Sequence, residues 1–164
     1  MTIRPETVAD RDAVHALNAA AFGQPDEAEL VDRLRERATP YLALVAEEAG
    51  DLVGHIAFTP VTADGATGVV GLAPMAIRPD RQRDGVGGEL VRDGLAACAE
   101  AGAAAVVVLG HPAYYPRFGF APAHTFGLRD PYGAPPEAFM ALELTPGALA
   151  EATGTVHYHD AFAG

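Results

Sequence analysis

Apolar residues recur with helical spacing in three parts of the chain. Residues 7–21 and 26–37 each combine an apolar stripe with a polar opposite face, and Asp26 suits the N-cap of the second helix. Between residues 85 and 102 apolar side chains again lie three and four positions apart, with charged residues between them. The pattern therefore predicts three amphipathic helices, and Pro40 ends the second segment.

Runs of apolar and β-branched residues, bounded by Gly, Pro or Asp, predict the strands. Two of them are joined through Ala49-Gly50-Asp51, which is typical of a hairpin. The predicted strands are a short one at Ile3, then residues 41–47, 52–61, 68–77, 105–109, 139–144 and 155–159.

Residues 68–77, 85–102 and 105–109 follow one another as strand, helix and strand. The last of these is apolar throughout, as expected of a strand covered on both faces. This order predicts a βαβ crossover with parallel strands, whereas the flanking hairpins are antiparallel. We therefore predict an α/β (mixed α+β) fold for residues 1–164 as a single domain. Its central sheet is mostly antiparallel, with one parallel crossover and flanking helices.

The charge of the chain restricts its partners. The formal net charge is −11, all 11 basic residues are Arg, and the chain contains neither Lys nor Ser. An acidic protein repels a phosphate backbone and anionic lipid, so we expect neither nucleic acid nor membrane as a partner. The missing residue types exclude a Walker A loop, a Schiff-base lysine and a Ser-His-Asp hydrolase. With no signal-peptide pattern and no apolar run that could span a bilayer, we expect a cytoplasmic protein.

One loop departs from this acidic background. Arg78, Arg81 and Arg83 lie within six positions, directly before a turn with glycines at positions 85, 87 and 88. The first residues of a helix present unpaired N–H groups and a partial positive charge, and glycine lets an anion approach the backbone closely. Glu89 and Leu90 stand where a dinucleotide-binding Gly-x-Gly-x-x-Gly motif would need glycine, so that motif is absent. The loop is typical either of a phosphate site of another kind or of a tight turn between a strand and a helix.

Pro74 lies inside the strand that precedes this loop. A central strand accommodates Pro most readily at a bulge, because Pro cannot donate a ladder hydrogen bond. We expect the bulge to turn the amides of Met75, Ala76 and Ile77 away from regular pairing and toward a ligand.

Two segments together resemble a known family. The run Gln82-Arg-Asp-Gly-Val-Gly-Gly88 resembles the acyl-CoA-binding motif of the GNAT superfamily of N-acyltransferases, and Tyr115-Pro-Arg-Phe-Gly-Phe120 resembles its Tyr-x-x-x-Gly-Phe segment. The longer run from Leu109 to Phe120 is similar to a small bacterial subgroup, the YhbS-like proteins. Where many members have Asn before the Tyr, this chain has Gly110-His111-Pro112.

The resemblance implies an N-acetyltransferase that uses acetyl-CoA as cosubstrate, without a metal. The backbone from Arg83 to Gly88 would hold the pyrophosphate, while Met75, Ala76 and Ile77 would pair with the pantetheine arm and offer an amide to the thioester oxygen. The implied cofactor-binding residues are Met75, Ala76, Ile77, Gln82, Arg83, Asp84, Gly85, Val86, Gly87 and Gly88.

Tyr115 would be the catalytic acid that protonates the departing thiolate. A phenol with a pKa near 10 is a weaker acid than a thiol with a pKa near 8.5, so the transfer is uphill by about 2 kcal/mol. The site must therefore lower the pKa of Tyr115, or Tyr115 helps through a hydrogen bond. We interpret its neighbour Tyr114 as a packing residue.

The general base stays open between His55 and a water relay. His55 shares a strand face with Ala57 and Thr59, although a buried structural histidine is the commoner case; His124, Glu137 and Glu143 have no spacing argument. The acceptor would be a small-molecule amine or a protein amine, attacked directly, and a homodimer is compatible with this interpretation. The alternative from another class is a non-catalytic acyl-CoA-binding or regulatory module.

Overall fold

Three α-helices form where the sequence predicts them. The computed structural model describes residues 1–163 and places α1 at Arg11–Phe22, α2 at Asp26–Arg37 and α3 at Val86–Glu100. The predicted bounds of α2 are confirmed, but Pro25 occupies its N-cap and Asp26 lies in the first turn. Helix α1 begins later than predicted, because residues 8–10 form a 3-10 turn in which the Asp10 carboxylate accepts the Thr7 N–H at 2.7 Å.

Ten strands lie within residues 1–163, and those predicted end within two residues of their expected bounds. They are β1 (Thr2–Pro5), β2 (Leu42–Glu48), β3 (Asp51–Pro60), β4 (Thr62–Asp64), β5 (Val69–Ile77), β6 (Ala105–Leu109), β7 (Ala121–Pro122), β8 (Leu128–Arg129), β9 (Phe139–Glu143) and β10 (Thr153–His157). Seven form the main sheet in the order β1-β2-β3-β5-β6-β9-β7, and β4, β10 and β8 form a second sheet.

The expected fold class is confirmed. In the main sheet every neighbouring pair is antiparallel except β5 and β6, which are parallel and connected through α3. The main sheet separates two cores. On one face Val106, Val108 and Met140 pack with residues of α3, while on the other Val107 and Phe139 pack with the C-terminal segments. Helices α1 and α2 pack on this second face, where α2 reaches the C-terminal turn through the bond from Arg33 Nε to the Ala161 carbonyl at 3.2 Å.

Strands β5 and β6 pair for only a short distance. Val69, Val70 and Gly71 are in register with residues 105–107, and no pairing follows Gly71 although β5 continues to Ile77. The predicted bulge is present on the other edge, since Ala73 and Pro74 together lie opposite the single residue Ala57 of β3. The sheet therefore has a gap between the end of β5 and the end of β6.

A buried polar network ties β1 to the first helices. One Glu6 carboxylate oxygen lies 2.8 Å from both His55 Nε2 and the Tyr41 hydroxyl, and the other accepts Arg35 Nε at 2.8 Å. Burial alone would raise the pKa of Glu6, but the hydrogen bonds from His55 and Arg35 outweigh it and keep this pKa below its usual value. The network fixes the charge state of Glu6 in the folded protein.

We predict that Gly94→Ala destabilises the fold, because an added Cβ would lie 2.6 Å from a ring carbon of buried Phe58. Overpacking of this kind costs about 1–3 kcal/mol in free energy of unfolding, measured by urea titration. Gly88→Ala in the same helix is the matched control, since its nearest neighbour is the end of the flexible Arg92 side chain at 3.4 Å. It should leave the stability unchanged or raise it by up to about 1 kcal/mol. Equal losses in both variants would contradict the tight contact.

We predict that Glu6→Gln lowers the free energy of unfolding at neutral pH by about 3 kcal/mol, because Arg35 loses its buried counter-charge. The folded-state pKa of Glu6 lies below the unfolded value, so the stabilisation by its charge is complete above about pH 4.5 and falls as the pH drops further. The difference between wild type and variant should therefore shrink on acidification. Glu48→Gln, in a partly exposed pair with Arg81, should cost less than about 1 kcal/mol.

Candidate active site

The gap leaves one edge of β5 unpaired. The Arg78 N–H donates to the Val53 carbonyl at 2.9 Å, so Arg78 and Val53 form a hydrogen-bonded pair of the ladder. Ala76 lies opposite His55, two positions further along the ladder, and is therefore also in a hydrogen-bonded pair. Because hydrogen-bonded and non-bonded pairs alternate in an antiparallel ladder, the backbone groups of Met75 and Ile77 point away from β3 and into the gap.

The expectation that all three amides leave regular pairing is therefore wrong in part. Pairing with β3 resumes directly after the bulge, at Met75, and continues through Ala76 and Ile77. Their free edge arises on the opposite side, where β6 has moved away. The amide of Ala76 is directed at β3, so the ladder leaves two amides of the predicted three available to a ligand.

The glycine turn stands at the end of this open edge. Gly85 has a φ of 88°, a left-handed conformation that favours glycine, and precedes the first turn of α3. A Cβ at Gly87 would lie 3.3 Å from the Tyr114 hydroxyl and 3.5 Å from the Met75 methyl group, so a larger side chain would fill this space. Arg83 also has a positive φ, 69°, which is unusual for a residue with a side chain.

A cavity of about 420 Å³ connects the turn with the gap. Of the predicted binding residues, Met75, Ile77, Gln82, Arg83, Gly85, Gly87 and Gly88 line it. Ala76 and Asp84 are outside the lining, and so is Val86, whose side chain packs in the core beneath α3. Four further lining residues lie outside the predicted set: Arg92, Tyr114, Arg117 and Phe118.

The cations of the loop divide into two groups. Arg78 is bound to Asp80, and Arg81 to both Glu48 and Asp84, so these two guanidinium groups are already neutralised. The predicted anion site formed by all three loop arginines is therefore reduced to Arg83.

Two arginines distant in the sequence join Arg83 at the cavity. Arg92 stacks on the Phe118 ring at 5.2 Å and Arg117 on the Tyr114 ring at 4.6 Å. Within residues 1–163 none of these three arginines forms a salt bridge. The cavity thus concentrates positive charge in a protein of formal net charge −11, and this favours a multiply charged anion.

Tyr115 lies next to this cavity but behind its wall. Its ring is 8% exposed and packs edge-on against Tyr114 and Phe120, with centroids 5.1 and 5.7 Å away. Gly110 makes this packing possible, because a Cβ there would overlap the Tyr115 ring. Burial, with a smaller contribution from Tyr114, raises the pKa of Tyr115 to about 12. Of the two roles expected for Tyr115, the structure disfavours the one that needs a lowered pKa.

Tyr114 is more than the packing residue expected from the sequence. Its hydroxyl overhangs the glycines of the α3 turn, 3.3 Å from the position of a Gly87 Cβ, and its ring lines the cavity. Burial raises the pKa of Tyr114, while the charges of Arg117 and Arg92 oppose the shift. The hydroxyl is therefore a neutral donor directed at the turn at physiological pH.

His55 has no access to this site. Its side chain is fully buried, Nε2 faces the Glu6 carboxylate, and Nδ1 lies 3.3 Å from the Asn18 amide nitrogen. Since an ionised carboxylate can only accept, Nε2 carries the proton and Nδ1 accepts from Asn18. Both ring nitrogens are occupied, which favours the structural interpretation of His55 over that of a base.

Two further observations concern membrane spans and metal ligands. None of the helices between residues 1 and 163 is both long enough and apolar enough to cross a membrane.

In the same part of the chain, no three His, Cys, Asp or Glu side chains come together as they would around a metal ion.

Comparison with known proteins agrees with this geometry. A family model described as an acetyltransferase (GNAT) domain matches residues 2–123. The N-acetyltransferase YhbS of Escherichia coli strain K12 is 40% identical over 164 residues, which cover 99% of this chain and 98% of YhbS.

Solved structures with the coenzyme are also similar. The crystal structure of E. coli YhbS in complex with CoA has a TM-score of 0.92 and 39% identity, covering 99% of this chain and 92% of that one. A GNAT family acetyltransferase from Brucella melitensis in complex with acetyl-CoA has a TM-score of 0.81 and 40% identity, covering 98% and 97%. With a matching family model and relatives of this similarity, the chain belongs to the GNAT family and is an acyl-CoA-dependent acetyltransferase.

Proposed function

We propose that this protein transfers the acetyl group of acetyl-CoA to a primary amine by direct attack, without a covalent enzyme intermediate. The observation that carries the proposal is the unpaired edge of β5, which leads from the sheet gap to a glycine-lined cavity at the start of α3. No Lys or Ser is present, and Cys98 is buried beneath α3, where burial raises its thiol pKa to about 12. A Lys, Ser or Cys side chain that could carry the acetyl group is therefore missing from this site.

The residues of the cavity suit a coenzyme with phosphate groups. Backbone N–H groups at the start of α3 are free of helical partners, and the helix dipole favours negative charge there. Gly87 and Gly88 leave room that a side chain would fill, because a Cβ at either position would lie close to Tyr114 or Arg92. Arg83, Arg92 and Arg117 supply cations without carboxylate partners among residues 1–163. We propose that these groups hold the pyrophosphate and the neighbouring phosphate.

The open edge of β5 would hold the pantetheine arm. Met75 and Ile77 direct their amides and carbonyls into the gap, and an extended chain with amide groups can pair with such an edge as a strand does. The Gln82 amide bonds the Ile77 carbonyl at 3.2 Å, as a group free of the sheet ladder allows. Bound acetyl-CoA supplies an activated thioester carbonyl. An amide of β5 would stabilise the negative charge that its oxygen gains during attack by the amine.

Tyr115 would act on the leaving sulfur through a hydrogen bond. With a pKa of about 12, proton transfer to a thiolate whose acid has a pKa near 8.5 would be uphill by about 5 kcal/mol. A neutral hydroxyl can still stabilise the developing thiolate as a donor, and solvent then supplies the proton. Because His55 is enclosed, we propose that the attacking amine loses its proton through water.

We predict that acetyl-CoA and CoA raise the thermal stability of the protein, while NAD and ATP do not. At a ligand concentration of 100 times the Kd the gain is about 2.7 kcal/mol. Gly87→Val should abolish this stabilisation, because its side chain enters the space between Met75 and Tyr114. Ala96→Val, on the exposed side of the same helix, should retain it. Stabilisation by NAD or ATP as large as that by CoA would refute the proposed cofactor.

We predict that Tyr115→Phe lowers kcat by about 10- to 100-fold and leaves the stabilisation by CoA unchanged, because the lost hydrogen bond forms at the leaving sulfur. Tyr114→Phe should instead weaken CoA binding, since its hydroxyl faces the glycine turn.

The pH dependence separates the two roles of Tyr115. Because its hydroxyl stays protonated below the raised pKa, the ratio of the wild-type kcat to that of Tyr115→Phe should be constant between about pH 6 and about pH 10. A ratio that falls across pH 8 would instead indicate proton transfer from a tyrosine of lowered pKa. A purely acyl-CoA-binding module would show no turnover for Tyr115→Phe to slow.

A further inference from the structure

We infer that a second cavity, on the face of the sheet opposite α3, binds the acceptor, and that Asp130 selects an amine with a second cationic group. This inference rests on the proposed function. The cavity measures about 600 Å³. It is lined by His124, Leu128, Arg129, Asp130, Gly133, Ala134, Pro136 and Phe139.

The cavity lies beside the sheet gap. Phe139 in its wall is paired with Leu109, the last residue of β6, and β6 borders the gap. Phe139 packs in the core formed with Leu128, which is separate from the core beneath α3. The coenzyme cavity lies on the α3 side. An acceptor in the second cavity would therefore approach the gap from the other side, as direct attack on a thioester held there requires.

Two stacked tyrosines connect the cavity with the gap. Gly71 is the last residue of β5 that pairs with β6, and the Tyr158 ring packs against it. A Cβ at Gly71 would lie only 2.9 Å from a ring carbon of Tyr158. Tyr132 stacks on Tyr158 with centroids 5.9 Å apart and is itself exposed. The segment from Asp130 to Tyr132 thus links a cavity residue to the point where the strands separate.

Asp130 is a carboxylate that lacks a donor within residues 1–163 for one of its oxygens. Oδ2 accepts the Ala134 N–H at 2.7 Å, whereas Oδ1 is buried and has no hydrogen-bond partner in that part of the chain. A carboxylate with a buried, unpartnered oxygen carries poorly compensated charge, and a cationic group bound beside Asp130 in the cavity would offset that charge. Burial and the charge of Asp130 raise the pKa of both Tyr132 and Tyr158, which keeps the rings neutral beside such a cation.

The group recognised by Asp130 is distinct from the reacting amine. An amine attacks only when it is uncharged, and a carboxylate in contact with it would hold it protonated. A cation at the far end of the acceptor has no such conflict. Arg129 also lines the cavity, but this residue is exposed, so solvent screens its charge more strongly than that of the buried oxygen.

The test compares three five-carbon primary amines that differ only at the far end: cadaverine (ammonium), pentylamine (methyl) and δ-aminovalerate (carboxylate). Cadaverine has two equivalent reacting ends, which alone would double its kcat/KM. After division by two, we expect kcat/KM for cadaverine to exceed that for pentylamine by about 10-fold. The value for δ-aminovalerate should be the lowest of the three. Asp130→Asn should remove this preference by raising KM for cadaverine, without changing kcat for pentylamine or KM for acetyl-CoA. Glu151→Gln, an exposed glutamate outside the cavities, should retain the preference.

Equal use of the three amines, or a preference that survives Asp130→Asn, would overturn the inference. Failure of the proposed function has a separate signature, which is loss of thermal stabilisation by CoA. Calorimetric titration of cadaverine into the CoA-loaded protein does not depend on turnover. Binding that Asp130→Asn weakens by about 10-fold supports the inference, and absence of binding to the wild type overturns it.

Discussion

Backbone pairing between β5 and β6 stops after three residues, and the candidate active site is built around the gap that follows. Strands β5 and β6 share only the register from Val69 to Gly71, after which the end of each strand faces open space. Backbone N–H and C=O groups need partners, and an unpaired strand edge is a surface that binds extended chains. The pairing of β5 with β3 keeps this edge straight after the bulge at Pro74, because Met75 to Ile77 remain in register. The segment from Met75 to Ile77 is thus paired with β3 on one edge and unpaired on the other.

The arginines around the cavity at the start of α3 differ in whether a carboxylate pairs with them. In the loop before α3, Arg78 pairs with Asp80, and Arg81 pairs with Glu48 and Asp84. These carboxylates offset the charge of both guanidinium groups, which therefore attract an anionic ligand less strongly. The charge of the cavity comes instead from Arg83 and from two arginines that stack on aromatic rings. Stacking orients a guanidinium without neutralising it, so Arg92 and Arg117 remain available to phosphate. This arrangement would let an acidic protein bind a polyanion at this cavity.

The sequence is sufficient for the features that depend on local spacing and insufficient where the outcome depends on distant partners. The bounds of α2 and β6, the crossover through α3 and the bulge at Pro74 all follow from periodicity, turn residues or the missing N–H of proline. The free edge of β5, in contrast, arises because β6 stops pairing with it, not from the bulge. The approach of Tyr114 to Gly87 joins two residues that most of α3 and all of β6 separate along the chain. Only the fold brings Glu6 and Asn18 to the two nitrogens of His55. Spacing along one chain carries no information on such contacts.

In the proposed mechanism the two cavities would contribute in different ways. A contact between Asp130 and a distant cation of the acceptor is as strong before attack as in the transition state, so it contributes to binding and leaves the chemical barrier unchanged. The amides on the free edge of β5 would act on charge that exists only while the tetrahedral carbon forms, and such interactions lower the barrier itself. Because one set of groups belongs to loop side chains and the other to strand backbone, the proposed acceptor cavity could change in sequence without disturbing the backbone amides. In the proposed mechanism, selectivity would therefore be carried by loop side chains around Asp130, and catalysis by the strand backbone that pairs with β3.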